Sequence, residues 1–416
     1  MSRRASFTHT NQSSAGNGSL PGRRVQWLPR AAWWLAGLYL ADRLLRLAAA
    51  SHFLQRAEPE DLPVWPRVTI LQPITRGASD LPGVLAARAA LNYPCQTSHV
   101  LICDRTDHAS QALCSEWLAA QPELDVELVL AEGAHGPVAS KLEKLHAGLP
   151  HATGDVLCFV DDDVILRPAA LTTLVRYLET PRAGATFGLA CYTNWDTAAA
   201  SLMSAFVNSN ALLTYLPLTY LAPPFTITGH FFCIRREVFA TAGGLGHMEG
   251  RIDDDHELAR RVRSFELRCV QTPALYDVNN SLADLAAYAN QIRRWFIIPR
   301  QAMLPGMSFR EQLVTMLGSA GNLIPPLLAI LAVTGRARGV WQALCFCLAC
   351  FAAAQGYCER RYLGRQTPPL RWPYLIAAAL ITPLQALAAL LGKPEFTWRG
   401  QRLYLHRGGA VDLLEE

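Results

Sequence analysis

Between residues 66 and 301 short apolar runs alternate with amphipathic ones. RVTILQPI, SHVLICD, VELVLAE and DVLCFVD are near-continuous apolar stretches bounded by polar residues, the pattern of buried strands. LPGVLAARAALN, QALCSEWLAAQ, KLEKLHAGLP and AALTTLVRYLE lie between or after them and carry apolar positions at helical spacing. That alternation predicts an α/β unit, a mostly parallel sheet with helices on both faces. Ligands of such sheets bind beyond the carboxyl ends of the strands, so the residues following VLIC and LCFV are the first place to look for chemistry.

The flanks are apolar in a different way. Residues 31–54 begin AAWWLAGLYLA and then meet Asp42, Arg43 and Arg46. A membrane span needs about 20 apolar residues. This segment crosses only if its charges snorkel or pair, and Asp42 and Arg46 lie four apart on one helix face; an interfacial helix is the alternative. Residues 313–333, 340–357 and 372–391 are three further candidate segments. The first contains Asn322 and the pair Pro325-Pro326, which predicts a kink or a re-entrant turn. Basic residues follow at Arg360, Arg361, Arg365 and Arg371, then at Lys393, Arg399, Arg402 and Arg407. Three simple crossings from a cytosolic unit would leave the tail outside, against its positive charge, so one segment is expected to stop short. The chain thus divides into a disordered basic arm (1–30), an N-terminal membrane anchor (31–54), a cytosolic unit (66–301), C-terminal membrane segments (310–392) and a basic tail (393–416).

Composition agrees with this division. Hydrophobic residues make up 51% and charged residues 17%, too apolar for a wholly soluble enzyme. A net charge of +4 is too small for a nucleic-acid partner but suits anionic phosphates and headgroups. The eleven cysteines have no histidine partners at zinc spacing, and their odd number points to buried thiols in a reducing compartment. The expected location is a multi-pass membrane protein with its main unit in the cytosol, and the Ala/Leu-rich composition points to a bacterial inner membrane.

Four clusters carry candidate chemistry. Asp161-Asp162-Asp163 follows the strand DVLCF. Asp161 and Asp163, two apart, can share one hard cation, Mg or Mn, that would neutralise a diphosphate; a solvated acidic turn is the plain alternative. Asp104 and Asp107 follow SHVLIC, where an acid can bond a base or ribose, or make an Asx turn. Asp253-Asp254-Asp255 precedes the helix HELARRVRSFELR. One of the three can cap it, but three exceed what a cap needs, and a carboxylate held there can act as a general base. His256 beside it reads as an ordinary surface residue. Gln291-Ile292-Arg293-Arg294-Trp295 offers a planar phosphate donor and a flat packing face, or a juxtamembrane anchor.

Taken in order, Asp104, Asp161/Asp163, Asp255 and Gln291/Arg294/Trp295 resemble the signature of processive-type family 2 inverting glycosyltransferases. The wider layout resembles the ceramide glucosyltransferase-like family. VTILQPITRG, TITGHFFCIRREVFATAGGL, DDDHELARRV and Trp398-Arg399-Gly400 are similar to its opening strand, its Thr-Gly segment, its acidic helix start and a late motif of bacterial members. The resemblance implies a GT-A (Rossmann-like) fold with N- and C-terminal transmembrane helices. It implies a UDP-sugar donor, a membrane lipid acceptor and transfer of a hexose with inversion. Asp104 would hold the uridine, Asp161 and Asp163 the metal and diphosphate, and Asp255 would be the catalytic base. Gln291, Arg294 and Trp295 would line the diphosphate and the acceptor mouth, with Lys141 facing the nucleotide. GPVASK lacks the family's Asn before the lysine, and Asn208-Ser209-Asn210 replaces a His-Pro of animal members. The acceptor therefore stays open between ceramide, diacylglycerol and a hopanoid receiving N-acetylglucosamine. A processive polymer synthase would need more spans; a non-enzymatic membrane scaffold would have no use for all four clusters.

Overall fold

The computed structural model of the chain describes residues 27–78, 80–132, 140–398 and 400–414. Most of the arm expected over 1–30 lies outside the described residues, as do residues 136–139 of GPVASK and Arg399.

The four expected strands form: β1 (Val68–Pro73), β2 (Thr97–Asp104), β3 (Asp125–Ala131) and β4 (Val156–Val160). They run parallel in the order β3-β2-β1-β4, with Val68 facing Thr97 on one side and Val156 on the other. Side chains alternate across the sheet as strand geometry requires. Val156, Cys158 and Val160 enter one core with Leu171, Leu174, Met203 and Phe206. Leu157 and Phe159 enter the opposite core with Leu142, Leu145, Phe239 and Leu258.

Four more strands complete an eight-stranded sheet: β5 (Val164–Leu166), β6 (Ala183–Tyr192), β7 (Phe231–Arg235) and β8 (Arg268–Val278), ordered β4-β7-β6-β8-β5. β7 is antiparallel to both β4 and β6. Its reversal matters, because the residues entering it arrive at the carboxyl end of β4, where the Asp161 N–H donates to the His230 carbonyl at 2.9 Å.

The apolar helices stack beside this unit. The N-terminal helix Trp27–Gln55 runs in the same direction as Arg338–Cys358. Trp33 meets Phe346 at 5.7 Å near one end, and Gln55 donates to the Tyr362 hydroxyl at 2.6 Å beyond the other. The expected break at Asn322 is a 3-10 turn, Gly321–Leu323, between the helices Phe309–Ala320 and Ile324–Gly335. Asp42 pairs with Arg46 at 2.8 Å, as their spacing predicted, and with Arg43. Among the described residues, three helical stretches are long and apolar enough to cross a membrane: Phe309–Gly335, Arg338–Leu363 and Pro369–Leu391. The N-terminal helix, with its internal charges, does not meet that test.

The third stretch does not lead the chain away from the globular unit. Arg371 near its start donates to the Asp196 carbonyl at 2.9 Å, Tyr288 reaches Gln385 at 3.2 Å, and Arg300 caps its end through Ala389 and Gly392, both at 2.7 Å. The tail then folds into β9 (Glu395–Trp398), β10 (Gln401–Leu405) and β11 (Val411–Leu413), an antiparallel sheet that bridges back at Arg251 and Ala410. An epitope in loop 121–124 and a tag at the C-terminus should therefore be accessible from the same side of sealed membranes. Accessibility from opposite faces would contradict this packing.

Candidate active site

The helix Ser140–Gly148 buries Leu142 and Leu145 against the sheet and carries two lysines to its carboxyl edge. Lys141 and Lys144 are three apart, so they project from one side of the helix. Lys141 Nζ lies 2.8 Å from Asp161 Oδ1 and 3.8 Å from Asp254 Oδ2. Burial alone would weaken its hold on the proton, but Asp161 and Asp254 outweigh that and raise it above the ordinary lysine range. Lys144 is fully buried, with Nζ 2.9 Å from Asp104 Oδ2 and 2.6 Å from the Ile74 carbonyl. No pattern in the sequence marked Lys144; only the i,i+3 relation to Lys141 hinted at it.

The acidic triplet after β4 is held by its backbone. Gln72 Nε2 donates to the Asp161 carbonyl at 3.1 Å, and the Asp162 carboxylate accepts the Thr75 N–H. Burial and the neighbouring Asp163 push Asp162 up to about 6. Burial and Asp161 push Asp163 up to about 7, and its Oδ1 is buried without a hydrogen-bond partner among the described residues. Among the described residues no three His, Cys, Asp or Glu side chains form a ready metal cage. Two carboxylates, one with an orphaned oxygen, fit a divalent ion that takes its remaining ligands from phosphate and water.

The run Asp253–Asp255 splits three ways. Asp253 stands at the N-cap of the helix Asp254–Ser264 but makes no side-chain cap bond; it pairs with Arg251 at 2.8 Å. Asp254 faces Lys141. Asp255 Oδ2 accepts the Gly229 N–H at 3.1 Å and Oδ1 accepts the His256 N–H at 2.7 Å. Burial and then Asp254 push Asp255 up to about 7, with Lys141 and the His256 N–H opposing. A Cβ at Gly229 would stand 3.0 Å from Asp255 Oδ2, so a larger residue there would press on the carboxylate and shift it by a few tenths of an ångström. His256 is not a surface residue: it is 3% exposed, and burial pushes it down to about 4.

The helix Leu285–Ile298 brings the last cluster to the same edge. Arg294 donates to Gln291 Oε1 at 2.9 Å, and its guanidinium lies over the Trp398 ring at 5.4 Å. Trp295 packs on Tyr192 at 6.4 Å and Phe206 at 6.0 Å. Tyr192 in turn reaches His230 Nε2 at 3.4 Å. His230, absent from the sequence expectations, is half-buried and held below its ordinary proton affinity first by loss of solvent and then by Lys141 and Arg294, with Asp161 opposing. Asp104, Lys141, Asp161, Asp163, Asp255, Gln291, Arg294 and Trp295 thus belong to one connected region.

The sequence profile of Glycosyl transferase family 21 matches residues 32–411. The chain belongs to that family. It is a glycosyltransferase, and the membrane-scaffold alternative falls. No curated protein sequence matches the chain. Among solved structures, the mannosyltransferase PcManGT from Pyrobaculum calidifontis, in complex with GDP-Man and Mn2+, superposes with a TM-score of 0.51 at 20% identity, covering 86% of this chain and 99% of its own. That likeness bears out the GT-A-like fold. The S. aureus protein TarS matches at a TM-score of 0.39 and 13% identity over 84% of this chain and 99% of its own.

Removing one partner of a buried ion pair leaves an uncompensated charge, at a cost of about 3–5 kcal/mol. Lys144→Met should destabilise the family 21 unit by that amount, read as a lower urea midpoint of the detergent-solubilised protein. An unchanged midpoint would show that Asp104 does not need this ammonium.

Proposed function

We propose that this glycosyltransferase moves a hexose from a UDP-sugar to a membrane lipid hydroxyl with inversion, using Asp255 as its general base. The observation that carries this reading is the Asp255 carboxylate. It is fixed by two backbone N–H groups, has a proton affinity raised to about 7, and is joined through Asp254 and Lys141 to Asp161.

Asp104, at the end of β2, is the group to receive the uridine. Asp161 and Asp163 are the ligands for Mg or Mn, and the complex of PcManGT with a nucleotide sugar and Mn2+ supports such a site on this fold. When bound, the ion offsets the charge of the departing diphosphate. Gln291 and Arg294 orient the diphosphate, and Trp295 borders the acceptor mouth. As the lipid oxygen attacks the anomeric carbon, Asp255 takes its proton and the nucleoside diphosphate departs from the other face.

The acceptor side is read from the helix junction. A cleft of about 50 Å³ there is lined by Tyr39, Arg43, Asn210, Thr214, Asn322 and Phe351, among others. Its one cation is already paired, Arg43 with Asp42, and its volume takes a single hydroxyl or amide group rather than a phosphate or a whole headgroup. Asn210 is one helical turn beyond Phe206, which touches Trp295. The exposed apolar residues Leu313, Met316, Leu317, Leu384 and Leu387 support a bilayer around these helices. A bacterial inner membrane with the catalytic unit in the cytosol completes the reading. N-acetylglucosamine transfer to a hopanoid uses the same groups and changes only sugar and acceptor.

The test pairs labelled UDP-glucose, UDP-N-acetylglucosamine and GDP-mannose with ceramide, diacylglycerol and bacteriohopanetetrol, with Mg or Mn. A glycolipid should form from a UDP-sugar, and Asp255→Asn should lose about 100- to 10,000-fold in kcat while UDP still binds. Because the base must be deprotonated, kcat of the parent should rise with pH through about 7. Full activity in Asp255→Asn would remove the base assignment; UDP binding and donor turnover with no product on any of the three lipids would remove the lipid.

A further inference from the structure

The tail sheet reaches both segments that carry the candidate chemistry. On one side, Asn290, Arg293 and Arg294 lie at i, i+3 and i+4 and face β9 together. Asn290 exchanges two bonds with the Thr397 backbone, accepting its N–H at 2.9 Å and donating to its carbonyl. Arg293 donates to the Glu395 carbonyl at 2.9 Å and the Lys393 carbonyl at 3.2 Å. Arg294 lies over Trp398. On the other side, the Val411 N–H donates to the Gly250 carbonyl at 3.2 Å. Gly409, at φ +96, lies so close to Asp253 that a Cβ would stand 2.2 Å from its Oδ1.

The two aromatic residues of β9 differ in what they do. Phe396 is buried and plugs the small core formed with Ile297, Leu403, Leu405 and Val411. Trp398, two residues on and so on the same strand face, is only partly buried and presents its ring to the guanidinium. A flexible arginine reaches a diphosphate in many rotamers, and an aromatic face within about 6 Å of the cation restricts them.

We propose that Trp398 is a positioning residue of the donor site, holding Arg294 in the orientation that meets the donor diphosphate, and that the tail sheet straps the Arg294 helix to the segment leading into Asp255. This deepens the UDP-sugar reading and rests on it. The strap explains why the chain returns to the globular unit after its last apolar helix instead of ending there.

The experiment compares UDP and uridine binding, with Mn present, in the full-length protein and three variants. Trp398→Leu keeps apolar bulk but removes the ring face, and should weaken UDP by about 2- to 30-fold, the range of a cation–π contact, with uridine unaffected. Trp398→Phe should restore most of the UDP affinity. Phe396→Ala should instead lower the thermal midpoint and weaken both ligands alike. Equal loss of UDP and uridine in Trp398→Leu, or no loss of either, would overturn the proposal. No UDP binding by the parent chain would remove the donor reading itself, and this inference with it.

Discussion

Carboxylates that share one edge of a sheet repel one another, and everything in the catalytic unit accommodates that repulsion. Asp104, Asp161, Asp162, Asp163, Asp254 and Asp255 all converge there. Two like charges 4 Å apart cost about 4 kcal/mol at an effective dielectric of 20. Lys141 and Lys144 offset this by delivering two ammonium groups from one short helix to acids on two different strands and a third segment. The helix can do so because it sits tight on the sheet. A Cβ at Gly148 would stand 2.4 Å from Ile102 Cδ1, so any side chain there would oblige Ile102 to shift. Lys141 offsets Asp163 and Asp255 only in part, and these two keep a proton affinity raised to about 7. These are therefore the two positions of the edge where taking up a proton or a cation relieves the most repulsion.

A second charge cluster fixes the apolar layer to this unit. Arg46 donates to the Leu213 carbonyl at 2.8 Å and to the Gly318 carbonyl, and Arg43 donates to Asn322 at 2.9 Å. Asp42 sits against Gly321, where a Cβ would meet its Oδ2 at 2.5 Å. The break in the Phe309–Gly335 stretch and the π-helical turn Ala211–Tyr215 both expose carbonyls that a regular helix would have used internally, and Arg46 takes one from each region. Breaking a buried pair costs more than forming it gains. This cluster therefore locks the position of the helices rather than adding much net stability. Since Ala211–Tyr215 continues directly from the helix bearing Phe206, the lock also sets the distance between the apolar layer and Trp295.

Sequence pattern revealed the elements whose partners are nearby and missed those whose partners are distant. Four apolar runs predicted β1 to β4, because a strand buried on both faces is continuous in its hydrophobicity. The antiparallel direction of β7 carried no such signal, since the loop before it decides its direction. The Asp42–Arg46 pair was legible from spacing, whereas Arg43 finds Asn322 279 residues away. The site divides the same way. The acidic clusters stood out because consecutive aspartates are unusual, and family resemblance ordered them. Lys144, Tyr192 and His230 were hidden, because each is an ordinary residue until the fold brings its partner. His256 was misjudged because a helix start reads as exposed, while here the tail strand covers the segment just before it through Arg251 and Ala410.

The three aspartates 253–255 show how far residue type falls short of deciding role. Their local sequence environment is nearly the same, yet a base needs a carboxylate with a free lone pair and a proton affinity near the working pH. Asp253 is the most enclosed: Arg251 holds its Oδ2 and restrains the effect of burial, leaving it at about 6, and its Oδ1 is sealed against Gly409 rather than open to an acceptor. Asp254 is spent on Lys141, part of the compensation that holds the sheet edge together. Asp255 meets only backbone N–H groups, which fix its plane without neutralising it, and it has the higher affinity of the two displaced members. The neighbours thus act as supports: one paired acid anchors the helix start to Arg251, one balances the lysine, and the third is left able to accept a proton.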